Sequence, residues 1–181
     1  MPYHFCPYCG SNIEYRIPAQ DDKARAVCDT CHQIHYHNPR IVVGSVAFWQ
    51  ESVLLCRRAI APRIGFWSLP AGYLELDEST EAGALREARE EAHAELQIKA
   101  LLAIYNLVHI QQVQIVYLSE LLTPHIQPGT ESLEVRLFEF DAIPWQDLAF
   151  PTVKQALDYA FQVRHQDLFR PDLQADNLQM L

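Results

Sequence analysis

Positive charge is scarce in this chain: 14 Lys and Arg stand against 23 Asp and Glu, for a formal net charge of −9. A dedicated nucleic-acid binder carries a basic face, so this balance argues against one. Long apolar runs are also missing. The most hydrophobic stretch, residues 100–110, is interrupted by Asn106 and His109 and is too short to span a bilayer. The opening "MPYHFCPYCG" has neither the basic nor the apolar region of a secretory signal. A cytoplasmic protein without membrane attachment is expected. Low-complexity tracts and internal repeats are absent, and glycine is sparse. What remains is a globular composition, 49% hydrophobic and 20% charged over 181 residues. That length suits one ordinary domain plus a small attachment.

Cysteine marks the attachment. Cys6 and Cys9 ("CPYC") and Cys28 and Cys31 ("CDTC") form C-x2-C-x18-C-x2-C, while Cys56 sits apart in the apolar run "SVLLCRR". Two such turns can each point two thiolates at one ion and complete a tetrahedral S4 shell around Zn²⁺. Two disulfides or a redox pair are the alternatives, and the lack of a secretion signal weighs against the disulfides. A site filled by four cysteines is closed, hence structural, and stabilises a segment too small for its own core. His32, His35 and His37 follow closely but are not needed as ligands. Cys56 reads as a core residue.

Patterning gives a zinc ribbon over residues 1–38, a mixed α/β domain over 39–165 and a weakly ordered tail over 166–181. "IVVGSVAFW" and "SVLLCRR", split by Gln50 and Glu51, predict a hairpin. "LLAIYNLVHI", "VQIVYLSELL" and "EVRLFEF" read as further strands. Pro151 opens a helical pattern that runs to about Arg164. Another helix should begin near "DEST", where Asp77, Ser79 or Thr80 can cap it. On that helix Glu87, Glu90 and Glu91 share one side. Leu85, Ala88 and Ala92 lie roughly opposite and are expected to pack on the sheet, leaving the carboxylates facing out of it.

Like charges at i, i+3 and i+4 destabilise a helix. A salt-bridged surface would explain them blandly, but Arg86 and Arg89 project to other sectors. A hard divalent cation explains the cluster better, because Mg²⁺ binds through a few carboxylates, water and substrate phosphates.

The stretch "GYLELDESTEAGALREAREEAHA" resembles the Nudix box, G-x5-E-x7-R-E-U-x-E-E-x-G-U, with U a bulky apolar residue. Gly72, Glu78, Arg86, Glu87, Glu90 and Glu91 fill its fixed positions. Ala88 and Ala94 fill the U places, and His93 replaces the second glycine, where a positive φ often ends the helix. The resemblance implies the Nudix fold, a mixed sheet sandwiched between helices. It also implies Mg²⁺- or Mn²⁺-dependent hydrolysis of a nucleoside diphosphate linked to another group. By that likeness Glu87, Glu90 and Glu91 are catalytic metal ligands, joined by the Ala71 carbonyl, while Gly72, Glu78 and Arg86 hold the loop and helix in place. Many members add a carboxylate from a later segment. In "ESLEVRLFEFDAIP", Glu134 is the better candidate and Glu131 the second, with an ordinary strand end as the competing reading.

Four-cysteine ribbons precede the domain in NADH pyrophosphatases, but the S-Q-P-W-P-F-P-x-S motif of those enzymes is replaced here by "NLVHIQQVQIVYL". "CHQIHYHNPRIVVG", "FWSLPAGYLE" and "ESLEVRLF" look more like a subgroup with FAD and ADP-ribose pyrophosphatase activities. A small-molecule nucleotide substrate is therefore expected, FAD or ADP-ribose first. Arg57, Arg58 and Arg63 can meet its diphosphate. Phe66 and Tyr73, with Phe48 and Trp67, surround the loop into the box and can offer rings for stacking, although Trp67 also reads as a core anchor. The alternatives are an NADH pyrophosphatase, an RNA-cap hydrolase, or a non-catalytic ligand sensor whose ribbon binds nucleic acid. The resemblance also allows a homodimer through the main domain.

Overall fold

The protein is described here by a computed structural model over residues 3–175. It divides into two compact units, Met1–Asn38 and Pro39–Leu181.

The first unit is a three-stranded antiparallel sheet of β1 (Ile13–Arg16), β2 (Arg25–Cys28) and β3 (Ile34–His35), in that order. Among its described residues the buried apolar ones are Cys6, Ala26, Val27 and Cys28. So small a core cannot offset chain entropy alone. Each cysteine pair sits in a matching turn. The Gly10 N–H donates to the Cys6 carbonyl (2.9 Å), and the His32 N–H to that of Cys28 (3.1 Å). Both turn-closing residues have positive φ, 75° at Gly10 and 57° at His32.

The second unit contains β4 (Arg40–Trp49), β5 (Ser52–Arg58), β6 (Trp67–Ser68), β7 (Ala71–Tyr73), α1 (Thr80–Ala92), β8 (Leu96–Leu107), β9 (Gln112–Leu121), β10 (Ser132–Phe138), α2 (Pro151–Val163) and β11 (Asp172–Ala175). The strands form one mixed sheet in the order β10-β5-β4-β9-β8-β11, with β6 added to β5 and β7 to β4. β4–β9 and β8–β11 are parallel and the other pairs antiparallel. The expected hairpin turns at Gln50 (φ 55°), but β4 leaves β5 after two residue pairs and takes β7 as its neighbour.

Alternation along the strands fills both faces. Val43 packs with Ala84 of α1, and Ala47 with Leu54, Ala88 and Ala92. Val46, Phe48, Val53 and Leu55 point the other way, onto Ala156, Leu157 and Ala160 of α2. The sheet is thus sandwiched between the two helices, as the resemblance implied. Ser79 caps α1 by accepting the Ala82 N–H (3.1 Å). His93 ends it in the left-handed region (φ 48°, ψ 31°), with the Ala94 N–H returning to the Ala88 carbonyl. The loop after β9 supplies two more donors: the N–H groups of Gln127 and Gly129 reach the carbonyls of Ala92 and Glu91, each at 2.9 Å.

Two expectations need correction. Residues 172–175, read as tail, form β11, because the twelve-residue β8 offers a free edge that β11 pairs in parallel. The rest of that tail, 176–181, lies outside the described residues. The glutamates of α1 do not simply face outward, either. Glu90 is exposed, but Glu87 and Glu91 are only 9% and 7% accessible. The short β7, unread in the sequence, passes beside the helix and covers them.

Candidate functional site

In the ribbon, the Sγ atoms of Cys6, Cys9, Cys28 and Cys31 all lie within 4.8 Å of one another. Cys6–Cys31 is 3.7 Å and Cys9–Cys28 is 3.4 Å. Four sulfurs about 2.3 Å from a tetrahedral zinc stand about 3.8 Å apart, whereas a disulfide needs about 2 Å. The cysteines are free thiols and the donor set fits a structural zinc. The backbone N–H groups of Thr30 and Cys31 approach the Cys28 sulfur at 3.4 Å, and His35 Nε2 lies 3.4 Å from the Cys6 sulfur. The atoms that cluster as possible metal ligands are the four sulfurs, and His35 is not among them.

In the second unit a cavity of about 670 Å³ opens beside β7. Its charged lining consists of Glu75, Glu87, Glu90, Glu91 and Glu131 with Arg58 and Arg86. Gly72 admits this arrangement, since a Cβ there would lie 2.3–2.5 Å from the carboxyl atoms of Glu87. Gly44 has the same role one strand inward, where a Cβ would lie 2.4 Å from that of Ala71. The Ala71 N–H donates to Glu91 Oε2 at 3.2 Å.

Arg86 ties the box together with all five of its N–H groups. Nε and Nη2 grip Glu78 (3.1 and 2.8 Å), Nη2 also reaches the Tyr73 carbonyl (3.0 Å), and Nη1 bridges Glu87 (2.7 Å) and Glu90 (2.9 Å). This corrects the expectation that Arg86 projects to another sector. Its long side chain curls back across the turn, which Cα spacing alone does not reveal. Arg89 does leave the cluster, to Glu95 (3.1 Å). Arg86 holds the Glu78 carboxyl below its ordinary range, helped by the Glu75 N–H.

Burial dominates the other two carboxyls. It pushes Glu87 upward against the pull of Arg86. Glu91 is pushed up to about 8, mainly by burial, opposed by the Ala71 N–H and reinforced by the charge on Glu87; Arg58 lowers it and Glu131 raises it further. Two buried carboxyls beside further acids, with the nearest arginine shared, form a site short of positive charge. A hard cation is the chemistry that completes it.

The remaining candidates divide. Glu131 lines the cavity near Glu87 and Glu91, whereas Glu134 lies outside it on β10, paired with Arg57 (3.7 Å). A register irregularity lies between Ser132 and Glu134. Of the three arginines, only Arg58 reaches the cavity, held by the Pro62 carbonyl (2.8 Å) and lying over the Phe150 ring (5.3 Å). Arg57 donates to the Gly65 carbonyl (2.9 Å), and Arg63 lies over Phe66 (5.1 Å); neither they nor Phe66 line the cavity. Phe48 and Trp67 are buried in the core on the α2 side, so neither is a stacking surface. Tyr73 does line the cavity and is 47% exposed. Phe150, Gln112, Gln114 and Thr152 also line it and were not singled out by sequence reasoning. The polar alternation Gln112–Gln114 entering an apolar strand was the available signal.

Comparison with known proteins accords with this geometry. The Nudix N-terminal family model, a zinc ribbon, matches residues 4–37, and the NUDIX domain model matches residues 38–159. A solved NUDIX hydrolase from Nitrosomonas europaea is 44% identical, with a TM-score of 0.90 over 96% of this chain and 100% of its own. An ADP-ribose pyrophosphatase from Methanocaldococcus jannaschii is 27% identical over 130 residues, 68% of this chain and 75% of its own length. The NAD-capped RNA hydrolase NudC from Pseudomonas aeruginosa is 30% identical over 145 residues, 77% of this chain. Those residues are 49% of NudC, so the chain spans about half the length of that relative.

Proposed function

The chain belongs to the NUDIX family, and we propose that it is a metal-dependent pyrophosphatase cleaving the diphosphate bridge of a nucleoside diphosphate joined to another group, ADP-ribose or FAD first. The observation that carries this reading is the convergence of Glu87, Glu90, Glu91 and Glu131 with Arg58 on a single large cavity. Glu87, Glu90, Glu91 and Glu131, with the Ala71 carbonyl, would hold Mg²⁺ or Mn²⁺. An ion held there would polarise the phosphoryl oxygens and lower the pKa of an attacking water. Glu78 and Arg86 fix the directions of Glu87 and Glu90, and Arg58 offsets charge on the diphosphate. Residues 1–38 form the ribbon that carries structural zinc, and residues 39–165 form the hydrolase domain.

The likeness to an ADP-ribose pyrophosphatase supports the substrate class. The likeness to NudC supports a second reading, hydrolysis of NADH or an NAD-type RNA cap. Against it stand the missing S-Q-P-W-P-F-P-x-S motif and the acidic chain. A hydrolysis screen over FAD, ADP-ribose, NADH, NAD-capped RNA and dGTP with Mg²⁺ or Mn²⁺ decides between them. The expected result is a higher kcat/KM for ADP-ribose or FAD than for NADH or dGTP. A tenfold preference for NADH, about 1.4 kcal/mol in the transition state, would move the assignment to the second reading. Binding without turnover of every substrate would make the chain a ligand sensor.

A further inference from the structure

Beyond the glutamates, sheet register lays out the floor of the cavity. Val42 of β4 pairs with Tyr73 of β7 on one side and with Gln114 of β9 on the other. Residues paired across a sheet project from the same face, so Tyr73, Val42 and Gln114 form one row. The adjoining rows on that face are Ala71, Gly44 and Val116, and then Arg40, Gln112 and Leu107. Val42, Gly44, Val116 and Leu107 make the lining apolar. In its middle stands Gln114, half-buried, and among the described residues its amide has no hydrogen-bond partner. Half-buried on an open cavity, its donor and acceptor are available to a ligand.

Tyr73 stands as a wall at one end of this row. Gln112 Nε2 donates to its hydroxyl at 3.3 Å, and the Arg40 guanidinium lies 5.2 Å from the ring centroid. One ring face is thus backed by a cation, while the residue still lines the cavity. Tyr73 and Gln114 are two strand spacings apart, about 10 Å. A planar ring stacked with its centroid about 5 Å from Tyr73 therefore stands over Val42, with its edge within reach of the Gln114 amide. Gln presents a donor and an acceptor side by side, the pattern that pairs with one edge of adenine. Flavin carries an equivalent edge.

We infer that Tyr73 and Gln114 form the seat of a planar heterocycle in the substrate, with Tyr73 reading its face and Gln114 its edge. The inference rests on the pyrophosphatase reading for the position of the diphosphate. Both residues are specificity-determining and neither touches the bond that breaks.

The test compares wild type with Tyr73→Ala and Gln114→Leu on FAD and ADP-ribose. The expected result is a KM raised about tenfold with kcat within about twofold of wild type. If both substrates are affected, the ring is the adenine they share; if FAD alone is affected, it is the flavin. Gln114→Leu keeps the size of the side chain and removes only its donor and acceptor, so its denaturant midpoint should hold, whereas a residue kept only for stability would show a fall. Unchanged KM for both substrates would overturn the seat and leave the pyrophosphatase reading standing. Should wild type cleave neither substrate, that reading fails, and the seat is judged by calorimetric affinity for FAD with Mg²⁺. A tenfold loss of affinity in the variants supports it. Equal affinities, or no binding, overturn it.

Discussion

Replacing Glu91 by Gln separates what this side chain does for folding from what it does for chemistry. Glu91 is 7% accessible, accepts the Ala71 N–H at 3.2 Å, and has its carboxyl pushed up to about 8 from an ordinary 4.5, chiefly by burial. A carboxyl whose pKa is higher in the folded chain stabilises the fold fully below its unfolded value. That contribution is lost as pH rises through the folded value. In metal-free protein the loss therefore begins near pH 4.5 and is complete above about pH 8. By pH 7 it amounts to on the order of 3 kcal/mol, and Glu87, raised for the same reason, adds in the same direction. Glu91→Gln keeps the shape and an oxygen for the Ala71 N–H but cannot ionise. With EDTA present, its urea midpoint should exceed that of wild type at pH 8, and the two should converge near pH 4.5. Mg²⁺ should raise the wild-type midpoint and raise the variant's far less, while turnover of the variant falls by orders of magnitude. Two results would refute this reasoning: a wild-type stability flat from pH 5 to 9 without metal, or normal turnover by the variant.

Three further outcomes are expected. Elemental analysis should find about one zinc per chain, and Cys28→Ser should lose it and expose the N-terminal unit to protease while thermal unfolding of the second unit is unchanged. His93→Gly should raise stability by about 1 kcal/mol, read as a denaturant midpoint, because a side chain in the left-handed region is strained there and Gly is not; its kcat should stay at the wild-type value. Gly72→Ala places a Cβ 2.3–2.5 Å from the Glu87 carboxyl atoms, so that flexible end must swing away. A fall in kcat of about tenfold or more, with a raised Mg²⁺ requirement and little change in Tm, is the expected signature.

The local features were the legible ones. Ser79 as cap, His93 as a left-handed stop, Pro151 at the first turn of α2 and the paired cysteine turns each follow from chemistry within a few residues. What depends on a partner far along the chain was not readable. The burial of Glu87 and Glu91 needs β7, a three-residue strand too short to carry a period. Arg86 was misplaced because helical spacing gives Cα direction, not the reach of a guanidinium. Glu131 lies in the cavity and Glu134 outside it, which nothing in "ESLEVRLF" announces. Gln114 becomes a floor residue only when β4 and β9 pair in parallel, a long-range choice.

The loop between β9 and β10 is fastened to the end of α1 before it delivers Glu131. A Cβ at Gly129 would lie 1.7 Å from the Glu90 oxygen, against backbone that cannot yield. For loop exchange between related scaffolds, this makes the segment a cassette with one soft and one hard boundary. Residues 122–125 are exposed and can absorb insertions. From Gln127 through Glu131 the spacing is part of the helix's own ending, so a graft that changes it by one residue would unseat the helix terminus and the carboxylate together.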